Sequence, residues 1–116
     1  MQKSTCYRLI RNPETKKNEY VLTPSYLEIF KDENGNEIKV HIHRIEVAPK
    51  IFKWSATEES TALKCTWKDF TTKKECYDFI LQLLPNMAKL IKQNEHYVFK
   101  LLEFKEGLKH ENHLKT

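Results

Sequence analysis

The strongest constraint in this sequence is an apolar stripe over residues 72–94. Apolar side chains recur there at gaps of three and four, which places them on one face of an α-helix. Thr72 and Glu75 fit a capping box, in which each side chain bonds the backbone N–H of the other residue and starts the helix. The stripe needs an apolar surface to pack against, and it consists of Cys76, Phe79, Ile80, Leu83, Leu84, Met87, Leu90 and Ile91.

The residues before this helix predict strands. Apolar and polar side chains alternate over residues 37–43, after an Asn34-Gly35 pair of the kind that a type I′ hairpin turn prefers. We expect about six or seven short strands, with a bulge or a new strand near Arg44. The pattern predicts an α+β fold, a bent antiparallel sheet or barrel capped by the C-terminal helix. The expected strands cover residues 4–12, 19–22, 26–31, 37–43, 50–56 and 61–68.

Pro85 lies inside the helical stretch, but the apolar stripe continues through it in phase. Proline costs a helix interior about 3 kcal/mol, so either the helix kinks there or a second helix begins with Pro85 in its first turn. A helix from Thr72 to Glu106 would be roughly 50 Å long, more than this sheet can cover. We expect one domain over residues 1–108, with a helical extension from about residue 86, and a flexible tail over residues 109–116.

Composition limits the classes of function. With 116 residues, 40% hydrophobic and 31% charged, the chain is one domain with a lean core and a heavily charged surface. It has no apolar run of about 18 residues and no signal-peptide pattern, and its three cysteines favour reduced thiols. We expect an intracellular protein, in the nucleus rather than the cytoplasm. A net charge of +4 tolerates an acidic partner but predicts no reading of DNA sequence.

Catalytic and metal-binding patterns are missing from the sequence. Gly35 and Gly107 are its only glycines, so no glycine-rich phosphate loop exists, and no nucleophile stands in an elbow motif. His41 and His43 share one face of a predicted strand, but a metal site needs further ligands that the neighbouring sequence does not supply. We expect exposed strand histidines, no metal, no cofactor and no enzymatic activity.

Two stretches resemble the pleckstrin-homology superfold. Residues 20–30 (YVLTPSYLEIF) look like the run in its second and third strands, and residues 79–85 (FILQLLP) close the domain where the family's helix does. The QLLP at residues 82–85 is similar to the helix end of the N-terminal pleckstrin-homology domain in the largest core subunit of transcription factor IIH. This resemblance implies a docking domain in transcription and DNA repair that receives acidic, aromatic-bearing protein segments.

The predicted partner surface lies on the last two expected strands. Alternation places Trp54 opposite Lys53, and it places Cys65 and Trp67 together on the face opposite Thr66. Lysines on one face would speed the encounter with an acidic segment, and an apolar groove would supply most of the affinity. The expected partner-binding residues are Lys50, Lys53, Lys64 and Lys68.

A second interpretation is a membrane-targeting module, of pleckstrin-homology or GRAM-like type, that binds phosphoinositide. Basic side chains in the first loop of that family hold the lipid phosphates, although the second strand here carries Glu19 and no base. The lipid-binding residues would be Arg8, Arg11, Lys16 and Lys17.

Two further hypotheses concern exposed apolar residues. Single-stranded nucleic-acid binding through lysines and aromatic rings would require Trp54 or Trp67 to be exposed. The apolar face beyond residue 94 could pack back on the domain, self-associate, or dock into a larger complex. That face consists of Tyr97, Val98, Leu101, Leu102 and Phe104.

Overall fold

The chain folds into a four-stranded antiparallel sheet followed by two helices. The computed structural model describes residues 2–115, with side chains up to residue 109. The strands pair in chain order as β1 (Gln2–Arg11), β2 (Asn18–Lys31), β3 (Glu37–Ala48) and β4 (Ile51–Glu58), and the helices are α1 (Lys73–Gln93) and α2 (Glu95–Lys115). The predicted α+β class is confirmed, whereas the prediction of six or seven strands is wrong.

The first difference in strand number arises in β2, where two expected strands are one. Pro24 does not end the strand, because it stays paired with Thr5 of β1. β3 pairs with β2 only from Tyr26 to Lys31, so Pro24 lies where the other edge of β2 carries no ladder. Proline is tolerated in a strand at such an edge. β3 likewise continues past Arg44, and its register shifts between Glu46 and Ala48.

The second difference is the expected strand over residues 61–68, which is a loop in the structure. It touches β4 through isolated bridges of Thr57 with Lys64 and of Trp54 with Phe70. The two bridges are three residues apart on β4 but six apart on the loop, so a regular ladder cannot form. The same loop also reaches β1, because the Leu9 N–H donates to the Ala62 carbonyl at 2.8 Å.

The β2–β3 turn differs in type from the prediction. Gly35 has a positive φ of 80°, but Asn34 is not among the residues with positive φ, so the turn is not type I′. The Gly35 N–H donates to the Asp32 carbonyl at 3.1 Å, and the Asp32 carboxylate accepts from the N–H groups of Asn34 and Asn36. These side-chain bonds favour a type I turn followed by a left-handed glycine.

The core lies between α1 and one face of the sheet. Thr72 is the N-cap of α1, and its hydroxyl accepts from the Glu75 N–H at 3.2 Å, as predicted. The Glu75 carboxylate accepts from the Thr72 hydroxyl at 3.1 Å, which is not the backbone contact that we expected. Most of the predicted stripe packs inward. The buried cluster contains Phe30, Ile38, Val40, Ile42, Ala56, Phe70, Cys76, Ile80 and Met87.

The predicted C-terminal extension is a separate helix. α1 runs through Pro85 and ends at Gln93, so the alternative in which a helix begins at Pro85 is wrong. Asn94 stops α1 because its side-chain amide donates to the Leu90 carbonyl at 2.8 Å. The predicted tail over residues 109–116 falls within α2 up to Lys115, and its side chains beyond Lys109 lie outside the described part.

α2 folds back against β1 and β2. The Phe104 ring lies 5.3 Å from the Tyr7 ring and 4.6 Å from the Tyr20 ring, and Leu101 is buried. Of the predicted docking face on this helix, Tyr97 and Val98 are half-buried, whereas Leu102 stays exposed. Neither α1 nor the described length of α2 is long and apolar enough to cross a membrane.

Truncation of the α1 stripe should destabilise the fold. Ile80 is fully buried in the cluster, so Ile80→Ala should lower the free energy of unfolding by about 3 kcal/mol. The neighbouring Leu81 is 42% exposed, and Leu81→Ala should change it by no more than about 0.5 kcal/mol. Urea unfolding followed by circular dichroism measures both. Equal losses in the two variants would mean that this face of α1 does not pack on the sheet.

Candidate functional site

Among the side chains that the structure describes, Trp67 is the most exposed large hydrophobic one, at 77% of its surface. It stands at the rim of a groove of about 320 Å³ between the loop over residues 61–67 and the second half of α1. We call this the Trp67 groove. Its walls are mostly apolar, and they include Leu63, Cys65, Trp67, Leu83, Met87, Leu90 and Ile91.

The alternation predicted for this segment is wrong at Thr66 and Trp67. Thr66 is buried and its hydroxyl lies 3.2 Å from the Ser55 hydroxyl, while Trp67 points outward. The reason is that the segment is a loop without a strand's twofold repeat. The Trp67 ring nevertheless has a packing partner, since Phe79 contacts it edge-on with the ring centres 5.9 Å apart.

The structure brings two of the four predicted partner-binding lysines to this groove. Lys64 lines it, and the Lys68 ammonium lies 5.4 Å from the centre of the Trp67 ring. Lys53 pairs with Ile45 and lies on the sheet face opposite Trp54. Lys50 sits in the β3–β4 turn with a φ of 62°.

Charge at the Trp67 groove is partly neutralised. The Lys64 ammonium lies 2.6 Å from the Asp69 carboxylate. Glu58 also lines the groove, but its carboxylate accepts hydrogen bonds from Ser60 and from the Thr61 N–H. Among the described ion pairs none involves Lys68, so its charge is the one available at the rim.

A second surface opens where β2 leaves β3 beyond the pair of Tyr26 and Ile42. We call it the aromatic cleft. It has a volume of about 580 Å³ and brings together parts of all four strands. The Lys73 ammonium lies over the Tyr26 ring at 3.9 Å and over the Trp54 ring at 5.9 Å. The lining residues are Lys3, Ser4, Thr23, Pro24, Ser25, Tyr26, His43, Arg44, Phe52 and Trp54.

Sequence reasoning missed this cleft. The sequence pattern assigns no role to Lys3 and Arg44 and treats Tyr26 only as a strand residue, whereas Trp54 appears as a candidate for contact with single-stranded nucleic acid. Their positions are up to about 50 residues apart in the chain, and no local motif connects them. Only the divergence of β2 from β3 makes them neighbours.

The prediction of exposed histidines is wrong, because His41 and His43 are buried on the second face of the sheet. The hydrogen bond between Leu9 of β1 and Ala62 joins β1 to the loop after β4 at this face. His41 lies 2.9 Å from the Ser25 hydroxyl through Nδ1 and 3.0 Å from the Glu59 carboxylate through Nε2. Buried polar groups require partners of this kind, so the cluster keeps the second face of the sheet satisfied.

The hydrogen-bonded series of Ser25, His41 and Glu59 contains the same residue types as the catalytic triad of acyl-transfer enzymes. Here Ser25 is 6% exposed and His41 is fully buried, so the hydroxyl is poorly placed to meet a substrate. That the chain is not an enzyme stays a prediction. Nowhere within residues 2–109 do three His, Cys, Asp or Glu side chains come together so that they could hold a metal ion.

Burial also sets the acid–base behaviour of this interior. It lowers the pKa of His43 to about 4, and the positive charge of Arg8 lowers it as well. His43 is therefore neutral near pH 7, with Nε2 2.8 Å from the Thr57 hydroxyl. Burial raises the pKa of the Cys65 and Cys76 thiols to about 12, so neither is a reactive thiolate.

The predicted lipid-binding set is divided in the structure. The Arg8 guanidinium turns inward and donates to the Thr23 hydroxyl at 2.9 Å, and burial lowers the pKa of Arg8. Arg11, Lys16 and Lys17 are exposed around the β1–β2 turn. The first loop therefore presents three of the four basic residues to solvent.

Comparison with known proteins supplies no relative: no family model, no curated protein and no solved structure matches this chain. The likeness to the pleckstrin-homology superfold and to the factor IIH domain stays a hypothesis. Function is therefore inferred from the chemistry of the surfaces described above.

His43 should make stability depend on pH. An unfolded histidine takes up a proton below about pH 6.5, whereas folded His43 does so only near pH 4. The contribution of His43 to the free energy of unfolding is therefore fully present above pH 6.5, and it is lost as the pH falls to 4. At about 1.4 kcal/mol per pH unit, the loss is about 3 kcal/mol.

Urea unfolding at several pH values between 7 and 4 measures this dependence. The variant His43→Gln should show a flatter profile, since glutamine binds no proton. The histidine ring signals in NMR give an independent measurement of the same pKa. A wild-type profile parallel to that of His43→Gln would show that His43 titrates alike in both states.

Proposed function

We propose that this domain is a non-enzymatic protein-interaction module that binds an acidic segment carrying an aromatic side chain in the Trp67 groove. The observation that carries the proposal is the 77% exposure of Trp67 beside an apolar groove. A large aromatic side chain at the rim of an apolar surface is typical of a docking site, because tryptophan is enriched among the residues that dominate binding energy.

The apolar part of the groove accounts for an aromatic anchor. Leu90 is 41% exposed at one side, and Trp67 stands at the other. A ring inserted between them would cover apolar area on the loop and on α1 together. Phe79 already packs against the Trp67 ring and Phe70 against Phe79, so these rings have packing partners before a ligand binds. Such pre-organisation reduces the entropy lost on association.

The rim charges account for the acidic flanks of the partner. The Lys68 ammonium lies beside the Trp67 ring, and acidic residues next to the anchor would meet it there. Lys64 would contribute less, because Asp69 already pairs with it. Exposed charge pairs add little to equilibrium affinity, so these lysines act mainly on the association rate and on register.

The resemblance to the factor IIH domain supports the same class of partner. It suggests a place in transcription and DNA repair in the nucleus, with acidic segments of other proteins as ligands. The lipid alternative has weaker support, because the half-buried Arg8 already donates to the Thr23 hydroxyl.

A synthetic acidic peptide with one central phenylalanine tests the proposal. Trp67→Ala should weaken binding at least about tenfold, since it removes one wall of the groove. Lys68→Glu should weaken it about fivefold through charge reversal, mostly in the association rate. Isothermal calorimetry gives the affinity and stopped-flow fluorescence gives the rate.

Lys53→Glu is the matched control for Lys68→Glu, and Trp54→Phe is a conservative change of the other tryptophan, which lies away from the groove and packs on the core. Both should bind the peptide like the wild type. An equal loss in Lys53→Glu would show that net charge alone attracts the peptide. Wild-type affinity in Trp67→Ala would exclude the groove as the site, and binding of phosphoinositide vesicles lost on Lys16→Glu would favour the lipid module.

A further inference from the structure

We infer that the aromatic cleft is a second ligand site, which binds a nucleoside phosphate with its phosphate on Lys3 and Arg44 and its base against Phe52. This site is independent of the Trp67 groove, since the two surfaces share no lining residue. The inference combines the charge, the hydrogen-bond donors, the aromatic surface and the size of the cleft.

Every charged side chain that lines the cleft is basic, as far as the described residues show. Lys3 and Arg44 line it and are exposed, and Lys73 extends the positive charge across the Tyr26 and Trp54 rings. His43 also lines the cleft but is neutral near pH 7. A concave surface whose charged lining residues are all basic favours an anionic ligand.

The hydrogen-bond donors favour phosphate as the anion. The Arg44 guanidinium can give two parallel N–H bonds to phosphate oxygens, which suits it to this group. Among contacts with described residues, the Ser4 hydroxyl makes only a long 3.4 Å bond to the Thr5 carbonyl, so it can serve as a further donor. The hydroxyls of Thr23 and Ser25 are already engaged by Arg8 and His41.

The aromatic side chains favour a planar group next to that phosphate. The Phe52 ring is 51% exposed, and the Arg44 guanidinium carbon lies 5.3 Å from its centre. The guanidinium lies over this ring, so a base would stack on the ring face that Arg44 leaves when it turns to the phosphate. Stacking on aromatic rings is a common way for proteins to hold a base, because every base presents a flat π-face.

The size of the cleft favours one nucleotide. A volume of about 580 Å³ is within the range of small-molecule sites. Two exposed cations, Lys3 and Arg44, line the cleft, which suits a single phosphate group. The expected ligand is therefore a free nucleoside phosphate.

Amide NMR titration and isothermal calorimetry with adenosine monophosphate test this inference on the full chain. Signals of Lys3, Arg44, Phe52 and Trp54 should shift. Adenosine monophosphate should bind at least about tenfold more tightly than adenosine or inorganic phosphate alone, because only it engages both halves of the cleft.

Two variants and their controls locate the site. Arg44→Gln and Phe52→Leu should each weaken binding of adenosine monophosphate at least about fivefold. Arg11→Gln and Phe99→Leu change the same residue types at other exposed positions and should leave it unchanged. The acidic peptide should bind equally with and without the nucleotide.

Four outcomes would overturn the inference. One is the absence of shifts at the cleft with millimolar nucleotide. Another is equal affinity for phenyl phosphate, which would mean that the cleft selects a phosphorylated ring rather than a nucleotide. Binding of oligothymidylate without binding of the mononucleotide would identify a strand site. Equal losses in Arg11→Gln and Arg44→Gln would indicate attraction by net charge alone.

Discussion

The packing of α1 on β3 and β4 is the contact on which the rest of this structure depends. Ile80 and Met87 meet a sheet face on which Val40, Ile42 and Ala56 are completely buried. Once α1 lies there, the chain between β4 and α1 must return along the edge of β4. That path makes two isolated bridges, leaves Trp67 outside, and forms the Trp67 groove between loop and helix.

The second face of the sheet is held by different forces. It is lined by His41, His43, Ser25 and Thr57, which form hydrogen bonds with one another or with Glu59. Such a polar interior is stable only while every member keeps a partner, since an unpaired buried polar group costs about 1–3 kcal/mol. It fixes the geometry of the strands more strictly than apolar packing does, and it links stability to the protonation of His43.

Both proposed binding surfaces lie where regular strand pairing stops. Trp67 belongs to a loop that cannot stay in register with β4, and the aromatic cleft opens where β2 leaves β3. Where the pairing stops, some side chains stay exposed beside the core, as Trp67 and Phe52 do, and they can bind ligands. The two surfaces differ in chemistry, because one is apolar with a single available lysine and the other combines several cations with aromatic rings.

The sequence by itself determined the helix, the face of α1 that packs, and the strand character of the chain before it, because spacing of apolar residues is a local property. It also predicted Lys64 and Lys68 as partner-binding residues, although it placed Trp67 on the opposite face. It did not determine that residues 19–31 form one strand, that residues 61–68 form a loop, or that His41 and His43 are buried. Those outcomes depend on which strands pair and where the ladder ends. The tertiary structure alone placed Lys3, Arg44 and Phe52 together, since they meet only through the divergence of β2 and β3.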